Sequence, residues 1–277
     1  MRRLALGPRP DPLPWSERVV NLCWRAPLFF LATAFFGSLS LLSSLWDRSG
    51  RVQHGIAQRW GRAVTWITGA KVTVLNGQFL DGRVAVYVAN HLSYTDTPVL
   101  FGILPFQFRI VARHDLFTIP FIGWHLTHSG QVPVNVSNPR ASISSLGSAV
   151  KTLKSGMPLF IFPEGGRTQT GHPSDFLNGP AFMAVRAGVP IVPMALTGTY
   201  ELLPIRTWEF HPVPVTLAVG EPIETAGYSI RQTEELTQRL RAAISQLYYE
   251  HTYLKPLGTG DPLPDDGVPS VRLEKCE

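Results

Sequence analysis

Residues 84–100 read VAVYVANHLSYTDTPVL. The run VAVYVA (84–89) is apolar throughout, with the β-branched and aromatic side chains of a strand buried on both faces. From about residue 94 to 103 the pattern turns helical. Between the two lies a polar turn, Asn90 to Asp96, in which His91 stands five residues before Asp96. On a regular helix residues five apart point about 140° away from each other. A His91–Asp96 contact therefore requires His91 to sit on the turn, outside the helix. Ser93 begins a Ser-x-x-Asp pattern that resembles a helix start, and Pro98 fits a first turn, where a missing N–H costs little. Two readings stand at this point. In one, the carboxylate fixes one nitrogen of a neutral imidazole and leaves the other as a base toward an alcohol. In the other, Asp96 only caps the helix and His91 only satisfies a strand end.

Strand-like runs recur after residue 70: 71–76, 84–89, 108–113, 130–136, 158–162, 190–196 and 213–220. Helical stretches fall between them at about 94–103, 120–128, 139–155 and 179–188, with a last one at about 230–252 carrying Leu236, Leu240, Ile244 and Leu247 on one stripe. This alternation predicts an α/β domain with a largely parallel sheet flanked by helices. Its expected span is 71–253, after an N-terminal segment (1–70) and before a Pro/Gly/Asp-rich tail (254–277). Ligands of such sheets bind beyond the carboxyl ends of strands. That rule selects the loops 90–96 and 163–168.

The N-terminal segment contains APLFFLATAFFGSLSLLSSLW (26–46), free of charge and long enough to cross a hydrocarbon core of ~30 Å. No small-x-small cleavage site follows it, which argues against a signal peptide. Arginines flank both ends: Arg2, Arg3, Arg9, Arg18 and Arg25 before, Arg48, Arg51, Arg59 and Arg62 after. A segment that dips into one leaflet and returns keeps both flanks on the same side. Val52, Ile56, Trp60, Val64 and Ile67 then recur at helical spacing. They suit either an interfacial helix, with Trp60 and Trp66 near headgroup level, or an amphipathic helix packed on the domain. Residues 26–67 are expected to form a membrane-anchoring helical pair.

The bulk composition agrees with lipid contact. The 277 residues are 44% hydrophobic and only 16% charged, with a net charge of +5. No Lys/Arg run with interleaved aromatics appears, so no nucleic-acid partner is expected. The two cysteines, Cys23 and Cys276, lie near opposite ends of the chain and imply neither a disulfide framework nor a metal site. His125 and His128 have i, i+3 spacing but no acidic neighbour in sequence, and are read as surface or core histidines. No metal and no cofactor are expected. No Gly-x-Ser-x-Gly elbow is present, so a hydroxyl activated by His91 would belong to a substrate.

NHLSYTD (90–96) together with FPEGGRT (162–168) resembles the glycerolipid acyltransferase family, and most closely the 1-acylglycerol-3-phosphate acyltransferases. The first block of that family matches Asn90, His91 and Asp96, and the third matches Phe162, Pro163, Glu164, Gly165, Arg167 and Thr168. An intermediate block fits Leu116, Pro120 and Gly123, followed by GQVPVN, and a fourth fits Pro190 and Pro193, so the likeness covers residues 84–204. The resemblance implies transfer of a fatty acyl group from acyl-CoA or an acyl-carrier protein to a lysophospholipid hydroxyl. The enzyme would sit on the inner membrane with its site on the cytoplasmic face and membrane lipids as partners. His91 would be the general base and Asp96 its orienting carboxylate. Arg167 would bind the acceptor phosphate through its forked donors. Gly165 and Gly166 would bring backbone N–H groups near it, Thr168 would add a hydroxyl, and Glu164 would hold Arg167 or accept from the acceptor hydroxyl. The loop alone also fits a tight turn with an exposed ion pair. The chain departs from the family pattern in two places. Asn135 and Val136 stand where an Asp-Arg pair is usual, with Arg140 a candidate substitute, and Asn178 replaces a lysine before Gly179. Both remove positive charge and leave glycerol 3-phosphate, another lysolipid, or a non-catalytic lipid-binding role as alternatives.

Overall fold

Four apolar residues with alternating faces form the central strand of the sheet. The computed structural model describes residues 13–119, 122–135, 139–168, 170–205 and 207–256, with the backbone alone for 139–144. Helix α1 (Trp15–Val20) runs through a π-helical turn (Asn21–Arg25) into α2 (Ala26–Ser43), and α3 (Arg51–Thr68) follows. The domain then runs β1 (Lys71–Leu75), β2 (Val86–Ala89), α4 (Asp96–Ile103), β3 (Arg109–Arg113), α5 (Ile122–His128), β4 (Val132–Val134), α6 (Pro139–Lys154) and β5 (Leu159–Ile161). It ends with α7 (Gly179–Ala187), β6 (Ile191–Thr197), α8 (Thr199–Leu202), β7 (Pro214–Val219) and α9 (Thr233–Glu250).

The strands form one sheet in the order β1-β7-β6-β2-β5-β3-β4. Every neighbouring pair is parallel except β6–β7, which is antiparallel. The largely parallel α/β sheet expected from the alternation is present, and the strands lie within a few residues of their expected bounds. On β2, Tyr87 and Ala89 enter a core with Ala57 of α3 and Val99, Leu100 and Phe101 of α4. Val86 and Val88 point the other way, into a core with Leu153 of α6, Met183 of α7 and Leu240 of α9. Burial on both faces is the usual state of a parallel strand and explains its continuous apolarity.

The register places Val88 of β2 beside Ile161 of β5. The two strands leave the sheet side by side, so the loops 90–96 and 163–168 emerge next to one another at the carboxyl edge.

The stretch Trp15–Ser43 is long and apolar enough to cross a membrane by length and composition. Phe30, Leu31, Phe35 and Leu42 on it are exposed. It begins earlier than the apolar run because Pro14 serves as N-cap and Glu17 and Arg25 form an ion pair along the helix. Helix α3 takes the packed alternative. Its inward face is Gln53, His54, Ile56, Ala57, Gly61, Val64 and Thr68, whereas Val52 and Trp66 are exposed. A Cβ on Gly61 would strike the Pro98 carbonyl and the Gly102 nitrogen of α4, so the two helices cross with backbones touching. The expected wheel was therefore rotated by about one position, because a helix that docks through glycine gives no hydrophobic signal at its contact. The 44–50 turn is also fastened to the domain: Arg109 of β3 donates to Ser49 O at 2.7 Å.

Candidate active site

Asn90, the first residue after β2, is fully buried and bonds β6 with both ends of its amide. Its Nδ2 donates to Leu196 O (2.9 Å) and its Oδ1 accepts from Leu196 N (2.8 Å). The chain then turns sharply. Asp96 is the first residue of α4, and its carboxylate reaches back over the turn. Oδ2 accepts from Leu92 N (2.7 Å), Ser93 N (2.8 Å) and His91 Nδ1 (2.7 Å). The two readings of Asp96 thus coexist in one oxygen, which organises the turn and holds the imidazole. A neutral ring bonded to a carboxylate through Nδ1 carries its proton there and leaves Nε2 as the basic nitrogen. The His91 side chain is 15% exposed, and its ring lies flat on Phe162, 3.9 Å between centroids and 11° between planes.

Ser93 does not start the helix. Its hydroxyl donates to Leu203 O (2.9 Å) and accepts from Thr95 N (3.3 Å). Residues 93–95 are spent in the turn, and α4 begins at Asp96, two residues after its expected start.

The loop after β5 is bound to His91 from both sides. Glu164 Oε1 accepts from His91 N (2.7 Å), and Thr168 N donates to His91 O (3.1 Å). Glu164 Oε2 accepts from Ser174 N (2.9 Å) and Ser174 Oγ (2.6 Å). Burial pushes the Glu164 carboxyl above the usual carboxylate range, and these three donors pull it back. The expected Glu164–Arg167 contact does not form, because one carboxylate oxygen is taken by His91 N and the other by Ser174. Thr168 is likewise turned inward, its hydroxyl 3.0 Å from Thr170 Oγ1. Gly165 (φ 69°) makes the left-handed bend a side chain would resist, and Gly166 and Arg167 are exposed. In place of the exposed ion pair, the Arg167 guanidinium lies over the Tyr94 ring, 3.7 Å from its centroid.

Of the residues expected from sequence, His91, Asp96, Glu164 and Thr168 form one bonded unit, and Arg167, Gly165 and Gly166 make its open side. Asn178 donates to Glu234 (2.7 Å) and ties the start of α7 to α9. Val136 and the Arg140 side chain lie outside the described residues. His125 and His128 use Nδ1 on Ser40 Oγ (2.8 Å) and Trp124 O (2.7 Å), as structural histidines do. Sequence reasoning gave no role to Phe162, Ser174, Tyr94 or Trp208. Phe162 lies inside a motif and was recoverable; Ser174 and Trp208 carry no local signal.

A protein-family model described as Acyltransferase matches residues 71–197. A 1-acyl-sn-glycerol-3-phosphate acyltransferase of Cocos nucifera is 29% identical over 192 residues, covering 69% of this chain and 61% of that protein. One of Pseudomonas aeruginosa is 29% identical over 236 residues, covering 82% of this chain and 91% of that protein. Among solved structures, the 1-acyl-sn-glycerophosphate (LPA) acyltransferase PlsC from Thermotoga maritima is 26% identical with a TM-score of 0.71, covering 86% of this chain and 100% of that one. The chain spans 61% of the length of the plant relative.

Proposed function

We propose that the chain, which an Acyltransferase family model matches over residues 71–197, is an acyltransferase that transfers a fatty acyl group from a thioester, acyl-CoA or acyl-carrier protein, to the sn-2 hydroxyl of 1-acylglycerol 3-phosphate, giving phosphatidic acid. The observation that carries this reading is the 2.7 Å bond from His91 Nδ1 to Asp96 on a turn that the Glu164–Thr168 loop grips from both sides. Nε2 takes the proton of the acceptor hydroxyl as its oxygen attacks the thioester carbonyl. The tetrahedral intermediate collapses with cleavage of the C–S bond, and the imidazolium returns the proton to the departing thiolate. Asp96 holds the ring and stabilises its charged form. A thioester is already activated, so no covalent enzyme intermediate is required. Arg167 binds the acceptor phosphate, with backbone N–H groups at Gly165 and Gly166 beside it. Glu164 and Thr168 hold the loop to His91. Residues 1–70 serve as a membrane anchor and 71–253 as the acyltransferase domain, with the site on the cytoplasmic face of the inner membrane. The exposed apolar side chains of the Trp15–Ser43 helix support the anchor.

The test offers the purified full-length protein labelled acyl-CoA or acyl-carrier protein with a panel of acceptors: 1-acylglycerol 3-phosphate, glycerol 3-phosphate and neutral lysolipids. Transfer to 1-acylglycerol 3-phosphate is expected, with His91→Ala slower by ~10²-fold or more. Full activity in His91→Ala, or preference for an acceptor without phosphate, would overturn the reading.

A further inference from the structure

Three stacked planar groups connect the long N-terminal helix to the open side of the site. The Arg167 guanidinium lies on Tyr94. Tyr94 stacks on Trp208, with ring centroids 6.0 Å apart and 22° between planes. Trp208 in turn meets Phe30 of α2 at 5.0 Å and Phe29 at 6.3 Å. The backbone that carries Trp208 is held by Asn21 of the turn that leads into α2, and Arg18 of α1 adds an ion pair to the neighbouring Glu209 (3.6 Å). Asn21 Nδ2 donates to Trp208 O (2.7 Å), and Asn21 Oδ1 accepts from Phe210 N (2.8 Å). Asn21 is buried, and it opens the π-helical turn of residues 21–25. Such wide turns inside helices are frequent at functional sites. Here the side chain grips two backbone groups of one segment, which fixes both its position and its orientation.

We propose that Tyr94, Trp208 and Asn21 are positioning residues for Arg167, and that through them the N-terminal helix sets the geometry of acceptor binding. The inference rests on the reading of Arg167 as the ligand of the acceptor phosphate. Little else holds that arginine. The only acid of its loop, Glu164, is turned inward, and among the described residues Arg167 has no hydrogen-bond acceptor and no ion pair. Gly165 and Gly166 on its N-terminal side leave the loop backbone without bulky side chains. Stacking on a ring covers the face of a guanidinium and leaves its N–H edge free, which is the edge a phosphate oxygen uses. A long side chain held in that pose loses less freedom when the anion arrives. Tyr94 is 42% exposed and Trp208 48% exposed. The stack lies open to solvent at the rim, where an acceptor headgroup can reach it.

The experiment is steady-state kinetics of the full-length protein in mixed micelles, varying 1-acylglycerol 3-phosphate at saturating donor and then the donor at saturating acceptor. Arg167→Ala is expected to raise the acceptor KM on the order of 10- to 100-fold, as loss of a charged hydrogen bond does. Tyr94→Ala, Trp208→Ala and Asn21→Ala are each expected to raise it about 3- to 10-fold, the scale of a cation–π contact, with kcat and donor KM unchanged. Tyr94→Phe and Trp208→Phe keep a ring and are expected to restore the wild-type value. In the double variant Arg167→Ala/Tyr94→Ala, removing the ring should add nothing, because its effect runs through the arginine. If Arg167→Ala raises the acceptor KM while the other alanine variants do not, the positioning role falls and the acceptor reading stands. If those variants lower kcat and shift both KM values together, the residues are merely structural and the proposal is overturned. If Arg167→Ala itself leaves the acceptor KM unchanged, both fall.

Discussion

In the loop after β2 the polar groups other than Tyr94 face inward. Asn90, Ser93, Thr95 and Asp96 are fully buried and bonded to β6, to Leu203, to each other or to the turn itself. The loop after β5 divides its groups instead. Glu164 and Thr168 are bonded inward against His91, while Arg167 faces out on an aromatic ring. On the proposed reading the imidazole must be held closely in place, and the three hydrogen bonds on Asp96 Oδ2 supply that rigidity, while its buried Oδ1 has no hydrogen-bond partner among the described residues. On the proposed reading Arg167 must meet the acceptor at the rim, and stacking on Tyr94 holds it there with its N–H edge open to solvent.

Asp96→Asn strikes the rigid loop hardest. The amide oxygen can still take the three bonds made by Oδ2, but the negative charge that stabilises the imidazolium is lost, and kcat is expected to fall on the order of 10³-fold with the acceptor KM little changed. A fall confined to KM would mean that the two loops do not divide chemistry from binding in this way. Glu164→Gln probes the seam between them. Replacing one carboxylate oxygen by an amide donor faces it toward at least one of three existing donors, at a cost of about 1–3 kcal/mol in denaturant unfolding. A drop of roughly 10-fold in kcat should accompany it, since His91 is carried on the same bond. Wild-type stability in Glu164→Gln would show that the seam is loose. Arg167→Lys tests the open side. Lysine keeps the charge but can neither stack flat nor offer two parallel donors, so the acceptor KM should rise about 3- to 10-fold at unchanged kcat and unfolding midpoint.

The smallest effect is a slope with pH. Burial raises the Glu164 carboxyl, so its protonated form is the one folding favours. That contribution is fully present below the ordinary glutamate value, near 4.5, and is lost as pH rises through the folded value. Wild type should therefore lose stability relative to Glu164→Gln as pH is raised from 4.5 toward neutrality, read by denaturation at a series of pH values. A parallel pair of curves would mean that the three donors fully offset the burial.

Much of this was legible in the chain itself. Strands β2, β5 and β6 are buried along their whole length and stand out as near-continuous apolar runs, and helix geometry required His91 to lie off the helix if it was to meet Asp96. The start of α4 was misplaced because Ser93 answers to Leu203, a residue 110 positions away. The docked face of α3 was rotated because Gly61 contacts backbone and carries no hydrophobic signal.

Local order, then, determined the residue types: a histidine and a carboxylate on one turn, and an arginine beyond two glycines on another. Their partnership was decided by the sheet order, which sets β2 beside β5 and lets the two turns share hydrogen bonds. The sequence likewise determined an apolar N-terminal helix. Its grip on the site through Asn21 and Trp208 joins residues 187 positions apart. No periodicity or motif encodes such a contact; it exists only because the fold brings one buried amide to two backbone groups that would otherwise lack a partner.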